Sequence, residues 1–290
     1  MLEVVALQEI ACLKGRRAKL TGFTVEIIAV GNELLIGKTC DTNSNWLAQQ
    51  ITRLGGKLRR VTLVPDELEE ISKVVREALA RKPDFLLTVG GLGPTYDDKT
   101  LQGVSMALGK PLKLNSEALR MVEEKVRWMA EQGVLKKPWV TPERKKMATL
   151  PEGSKPLSNP VGTAPGVLIR KNGTVLISLP GVPSEMKAIF SLHVAGLMAE
   201  RSNLKYAEGS LLVEGIPEPD LSPTIDEAVK RFPEAYIKSH PKGEEATSRI
   251  ELHVSTFAES LEKAKGRIGE VIGWLEAEAR RLGGNVKKLG

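Results

Sequence analysis

A three-layer α/β/α domain on a mostly parallel sheet, followed by a smaller α+β domain, is the architecture this sequence predicts. Three observations carry that prediction. Short apolar runs such as Phe85-Leu86-Leu87-Thr88-Val89 have the composition of strands buried on both faces. They alternate with segments whose apolar residues recur with a period near 3.6, the mark of amphipathic helices. Glycine-rich turns follow two of the runs. Alternating β and α units of this kind give a parallel sheet covered on both sides.

Val25 to Val30 is the first predicted strand. Ser44 to Leu54 follows as a helix with Leu47, Ile51 and Leu54 on one face, Asn43 or Ser44 as its N-cap and Gly55 as its stop. Leu58 to Val64 is a strand. Asp66 and Glu69 form a variant capping box ahead of a helix carrying Leu68, Ile71, Val74, Val75, Ala78 and Leu79. Phe85 to Val89 is the next strand, and helices follow from Lys99 to Leu108 and from Ser116 to Gln132. Residues 136–160, rich in Lys, Pro and Ser, read as a long connection. Gly166 to Arg170 and Thr174 to Leu179 make a hairpin around Asn172-Gly173, a type I′ turn signal. Pro183 suits the first turn of a helix reaching Glu200.

The second predicted domain starts near Asn203. Strands at Leu211 to Val213, Ala235 to Ser239 and Arg249 to Thr256 combine with helices opening at Ser222-Pro223 and spanning Ala258 to Leu282. The order is β-α-β-β-α. The predicted domains are therefore 24–202 and 203–290, with an extension over 1–23. The extension's Val4, Val5, Leu7, Ile10 and Leu13 give a partly helical pattern, suited either to a docking arm or to translation from an upstream start.

Apolar residues make up 41% and charged residues 27%, the balance of a soluble globular protein. No apolar run approaches the roughly 18–20 residues of a membrane span. Cys12 and Cys40 form no spacing motif, which argues against a disulfide scaffold or zinc site and for the cytoplasm. A formal net charge of +6 is spread over dispersed groups such as Arg16-Arg17, Lys136-Lys137 and Lys287-Lys288, without interleaved aromatics. Neither a nucleic acid nor a membrane is an expected partner.

The most informative stretch is Val89-Gly90-Gly91-Leu92-Gly93-Pro94-Thr95-Tyr96-Asp97-Asp98-Lys99-Thr100. A glycine-rich turn from strand to helix leaves backbone N–H groups unshielded, so that they can cradle phosphate. Asp97 and Asp98 suit a hard cation such as Mg²⁺ or Mn²⁺. The alternative is a Gly-Pro turn with an aspartate N-cap. Neither a P-loop nor a dinucleotide fingerprint is present. Upstream, Ile27 to Val30 leads into a turn carrying Asn32 and Glu33, and Asp41 to Leu47 opens a helix.

The turn resembles the T-G-G-x-G-P-x-x-x-D signature of molybdopterin-binding proteins. It resembles more closely the G-G-L-G-P-T-x-D-D-x-T segment in the amino-terminal domain of the CinA (competence/damage-inducible protein) family. Asn159-Pro160-Val161-Gly162-Thr163-Ala164-Pro165-Gly166 and Leu179-Pro180-Gly181-Val182-Pro183-Ser184-Glu185-Met186 match the same family, and the resemblance spans residues 24–282. Where Asn32 stands, the family commonly has Thr or Ser. The resemblance implies a molybdopterin-binding-like fold with a KH-like second domain. It also implies a metal-dependent pyrophosphatase that hydrolyses a nucleoside diphosphate compound such as ADP-ribose to AMP and ribose 5-phosphate, with Mg, Mn or Co as cofactor. The alternatives are a molybdopterin adenylyltransferase-like enzyme and a non-catalytic pterin- or nucleotide-binding protein. An RNA-binding module is disfavoured, because Gly266-Arg267-Ile268-Gly269 falls in a helical pattern. The amidohydrolase domain of longer members is not expected. A homo-oligomer, dimer or trimer, is.

By the resemblance, Asp98 is the metal-using aspartate with Asp97 beside it; the alternative for both is helix capping. The backbone of Gly90, Gly91, Leu92, Gly93, Pro94 and Thr95, with the Thr95 hydroxyl, would hold phosphate. Thr100 either binds phosphate or caps its helix. Glu33, next to Asn32, is the candidate general base or second metal ligand, the alternative being a capping role. Asp41 and Asn43 either hold a ribose or pterin edge or cap the helix near Ser44. Gly162 and Gly181 belong to the pocket wall. Glu185 either binds metal or complements a helix dipole. Lys238 either neutralises phosphate across the domain cleft or is a solvated strand end.

Overall fold

The computed structural model describes residues 22–243 and 248–289. The predicted extension, apart from Gly22 and Phe23, lies outside them. Residues 23–201 form one compact unit, and the chain from Ser202 onward forms a second.

The first unit contains β1 (Phe23–Val30), β2 (Gly56–Val64), β3 (Phe85–Val89), β4 (Leu112–Leu114), β5 (Thr149–Pro151), β6 (Lys155–Leu157), β7 (Gly166–Lys171) and β8 (Thr174–Leu179). Six of them make a sheet in the order β2-β1-β3-β8-β7-β6. β2, β1, β3 and β8 are mutually parallel, and β7 and β6 extend the sheet antiparallel. Side chains of a strand alternate between faces, so a run that is apolar throughout serves two cores. Ile28, Val30 and Leu86 pack with helices Leu68–Ala80, Thr100–Leu108 and Ser116–Glu131. Val25, Ile27, Phe85 and Leu87 pack with helices Thr42–Arg53 and Pro183–Ile189. Phe23 and Phe85 meet edge to face at 5.4 Å. Burying one such Leu, Ile or Phe contributes about 1.5–3 kcal/mol. The result is the expected three-layer domain.

The four parallel strands end level with one another. Val30 pairs with Val64, Ala29 with Val89, and Val89 with Leu179. The turns beginning at Gly31, Pro65, Gly90 and Pro180 therefore leave the sheet along one rim. That rim is where open α/β sheets bind ligands.

Several elements differ from the expectation. The second helix starts at Thr42, because Asp41, rather than Asn43 or Ser44, accepts from the Ser44 N–H at 2.9 Å. Asp66 caps nothing in helix Leu68–Ala80; its carboxylate instead accepts from the Asn32 N–H at 2.9 Å. The connection over residues 136–160 holds helix Pro142–Met147 and strands β5 and β6. Its Thr141-Pro142 pair is a cap followed by proline at the first helical position. The helix from Pro183 passes through a π turn at Phe190–Val194 before continuing as Ala195–Ala199.

The second unit is an antiparallel sheet in the order β10-β11-β9-β12, with two helices. β9 is Lys205–Glu214, β10 Ala235–Pro241, β11 Arg249–Ala258 and β12 Asn285–Leu289. Helix Glu218–Arg231 begins four residues before Ser222, leaving Pro223 inside it. β12 was not expected; of its residues only Val286 is buried, and it joins Leu211, Leu252 and Leu275 in the core. Gly266 and Gly269 lie inside helix Leu261–Arg281. No described helix is long and apolar enough to cross a membrane.

Glu26 sits on β1 with only 5% of its side chain exposed and is held by Arg81 through both carboxylate oxygens, at 2.7–3.1 Å. Removing one partner of a buried pair strands the other. Arg81→Ala is expected to lower the unfolding free energy by about 2 kcal/mol. Urea denaturation reads this directly, and an unchanged midpoint would contradict it.

Candidate functional site

A cavity of about 640 Å³ opens at the carboxyl ends of the parallel strands. Three turns supply most of its wall. The first begins at Gly31, whose N–H bonds the Val64 carbonyl at 3.1 Å, and it carries Glu33 on the four-residue helix Asn32–Leu35. The second is the loop from Gly90 to Asp98. The third is Pro180-Gly181-Val182-Pro183, entering the helix with Glu185.

The loop from Gly90 is held by backbone geometry. Gly90 has φ of 103°, and a Cβ on it would collide with the Val30 carbonyl oxygen. Its N–H bonds the Leu179 carbonyl at 3.0 Å, and its own carbonyl accepts from the buried Thr100 hydroxyl at 2.7 Å. Gly91 follows with φ of 65°, packed against Thr100. L-residues with side chains rarely adopt these angles. The N–H groups of Gly91, Leu92 and Gly93 have no hydrogen-bond acceptor among the described residues. Leu92 turns its side chain into the core and leaves its backbone to the cavity.

The far side of the loop is latched by aspartates. Asp98 accepts from the Thr95 N–H at 2.8 Å and from the Thr95 hydroxyl at 2.6 Å. The same hydroxyl donates to Asp97 and, as the largest contribution, holds the Asp97 carboxyl below the usual range. The Lys146 ammonium donates to the Thr95 carbonyl.

The structure brings most of the sequence candidates together. Glu33, Asp41, Asn43, Gly90, Gly91, Leu92, Gly93, Pro94, Asp97, Asp98, Gly181 and Glu185 all line the cavity. Asn43 does not cap its helix; its amide donates to the Gly181 carbonyl at 2.7 Å, tying the first turn to the third. Asp41 both caps and lines the wall. Glu185 accepts from the Asn159 amide at 2.6 Å, over Gly162, where a Cβ would strike the carboxylate. Gly162, Thr95, Thr100 and Asn32 lie outside the lining. Gly162 makes room for Glu185, Thr95 and Thr100 brace the loop, and Asn32 pairs with Asp66. Lys238 belongs to the second unit, exposed on β10 opposite His253.

Sequence reasoning missed Asp66 and Arg144, both on the wall. Burial, above all, raises the Asp66 carboxyl from its usual range, and the charges of Glu33, Asp97 and Asp98 add to the rise against the opposing Asn32 N–H. Among the described residues, no three His, Cys, Asp or Glu side chains form a ready metal-ligand group.

The fold and the rim define a three-layer α/β/α protein with a glycine-rich loop of unpaired backbone N–H groups at its strand ends. The chain belongs to the family described as a probable molybdopterin binding domain, whose model matches residues 26–200. A protein of Aeropyrum pernix is 43% identical over 264 residues, covering 90% of this chain and 96% of that protein. One of Pyrobaculum arsenaticum is 45% identical over 247 residues, covering 84% and 90%. The chain is also similar to the crystal structure of the protein CinA with unknown function from Thermoplasma acidophilum. That likeness has 38% identity and a TM-score of 0.52 and covers 59% of this chain and 95% of that one.

Asp66 gives a pH prediction. Its folded carboxyl holds its proton more tightly than the unfolded chain does, so its ionised form costs stability once pH exceeds the folded value. Below about pH 4 it is protonated in both states and that cost disappears. Asp66→Asn, which still offers an oxygen to the Asn32 N–H, should raise Tm at pH 7. The gain should vanish as pH falls below about 4. Equal melting temperatures at pH 7 would contradict a cost of holding this buried carboxyl ionised among the neighbouring acids.

Proposed function

We propose that the cavity binds a phosphorylated pterin or nucleotide, with its phosphate on the N–H groups of Gly91, Leu92 and Gly93. The observation that carries this reading is those three donors, without protein acceptors, on the wall of the cavity at the strand ends. The family description supports the pterin. Arg144 adds a positive charge, and Leu34, Met129, Met147 and Val182 give apolar surface for a flat ring.

Carboxylates that could take part in holding a divalent cation share this wall, although no three of them form a ready ligand group among the described residues. Glu33, Asp66, Asp97 and Asp98 line the same wall as the phosphate donors, and burial, with the added charges of the other three, raises the Asp66 carboxyl. A phosphate dianion entering there needs that charge offset. Asp97 and Asp98 would hold the cation, with Mg, Mn or Co each suited to oxygen ligands. Bound there, it would neutralise phosphate charge and acidify a water.

One observation favours turnover over binding alone. The Glu33 carboxylate has no hydrogen-bond or ion-pair partner among the described residues, and it stands on the cavity wall. We assign Glu33 the role of base on that placement. The reaction this suggests is hydrolysis of a nucleoside diphosphate compound such as ADP-ribose to AMP and ribose 5-phosphate. Adenylyl transfer to a pterin is the alternative. For the second unit we infer a supporting role, since its Gly-x-x-Gly is helical and cannot clamp a nucleic-acid backbone.

Gly91→Val is expected to weaken binding of AMP and ADP-ribose about tenfold or more, by putting a β-branched side chain at a positive φ in the cradle. Calorimetry with and without Mg²⁺ measures it, and unchanged affinity in the folded variant would remove the cradle. Glu33→Gln should retain that binding and lose AMP release from ADP-ribose. If the wild type binds but releases no AMP with Mg²⁺, Mn²⁺ or Co²⁺, the protein is a binder of these compounds and not their hydrolase.

A further inference from the structure

A second cavity, of about 310 Å³, shares the stretch from Gly91 to Gly93 with the larger one. Gly91, Leu92, Gly93 and Asp98 line both. The helix Pro142–Met147 divides its three consecutive basic residues between them. Arg144 lines the larger cavity, and Lys145 and Lys146 line the smaller.

The acids divide the other way. Glu33, Asp41, Asp66, Asp97 and Glu185 line only the larger cavity. Asp98 is the single acid of the smaller one, and Thr95 already donates to it twice. Lys145 has no side-chain hydrogen bond or ion pair among the described residues. The Gln102 amide is placed beside the lysines, and Leu101, Leu112 and Pro142 form an apolar wall. A cavity near 300 Å³ is at the lower end of those that hold small ligands. The unpaired Lys145, with Lys146 beside it already donating to the Thr95 carbonyl, stands over an apolar wall whose one acid is occupied, a setting that favours a negative group.

We propose that the smaller cavity is an anion subsite, which takes a second phosphate or a carboxylate while a first phosphate lies on Gly91 to Gly93. The subsite rests on the phosphate reading of the loop given above. The anion can be part of the same ligand, as the second phosphate of a diphosphate is, or a free ion. The chemistry of recognition is the same. The loop is the shared partition, so a ligand carrying two anionic groups would lie across it.

Lys145→Glu and Gln102→Glu test this in the full chain. Both residues lie outside the larger cavity, and neither side chain has a hydrogen bond among the described residues, so folding should survive; Lys146 is avoided because it braces Thr95. Calorimetry at fixed ionic strength would use AMP, ADP and inorganic phosphate as probes. If the anion belongs to the ligand, each variant should weaken ADP about tenfold or more and leave AMP nearly unchanged. If the anion is free, inorganic phosphate should bind the AMP-saturated wild type and fail to bind the AMP-saturated variants. Either result supports the subsite. ADP and phosphate affinities equal in wild type and both variants would overturn it while AMP binding kept the loop reading intact. A wild type that binds neither AMP nor ADP would instead remove the loop reading and the subsite with it.

Discussion

The approach of Gly90 to the Val30 carbonyl oxygen constrains everything at the rim. A side chain at Gly90 would push β3 away from β1 where the parallel strands end level. With glycine there, the chain can turn at φ of 103° while its N–H reaches Leu179 and its carbonyl meets Thr100. Three central strands and the following helix are thereby joined at one residue. The next three N–H groups are left without acceptors because the turn has already satisfied its neighbours. The phosphate cradle we propose at this loop would follow from how the sheet ends.

Charge at the rim is sorted by this partition. Carboxylates gather on one side of the loop, from turns that are far apart in sequence. Burial above all raises the Asp66 carboxyl, and the nearby charges of Glu33, Asp97 and Asp98 add to the rise. Lysines gather on the other side, carried by one short helix. On the proposed reading, a site so divided would discriminate by charge distribution along the ligand as well as by shape. The bracing contacts, Thr95 to Asp98, Asn43 to Gly181 and Asn159 to Glu185, keep the turns in place before any ligand arrives.

The parallel strands of the sheet were legible because their signal is local. Phe85 to Val89 can only be a strand buried on two faces, and Gly90 to Asp98 announces its turn by composition. Asp66 and Arg144 were not legible. Asp66 reaches the cavity beside a partner 34 positions away, which no period or spacing encodes, and Arg144 stands on a short helix within what composition marks as a connection. An acid before a helix usually caps it, so the sequence predicts a local cap at Asp66; its actual partner, the Asn32 N–H, is 34 positions away. Asn43 likewise looked like a cap until its amide found Gly181, 138 positions on. β12 escaped because a single buried valine among lysines gives no strand period.

The most direct test of the central claim is to watch the loop's own amides. In a ¹⁵N-labelled full chain, titration with AMP or ADP in Mg²⁺ should move the backbone N–H resonances of Gly91, Leu92 and Gly93 first and furthest. These shifts should saturate with the calorimetric binding curve. Saturable binding that leaves those three resonances unmoved would contradict the account, because the phosphate would then be held elsewhere.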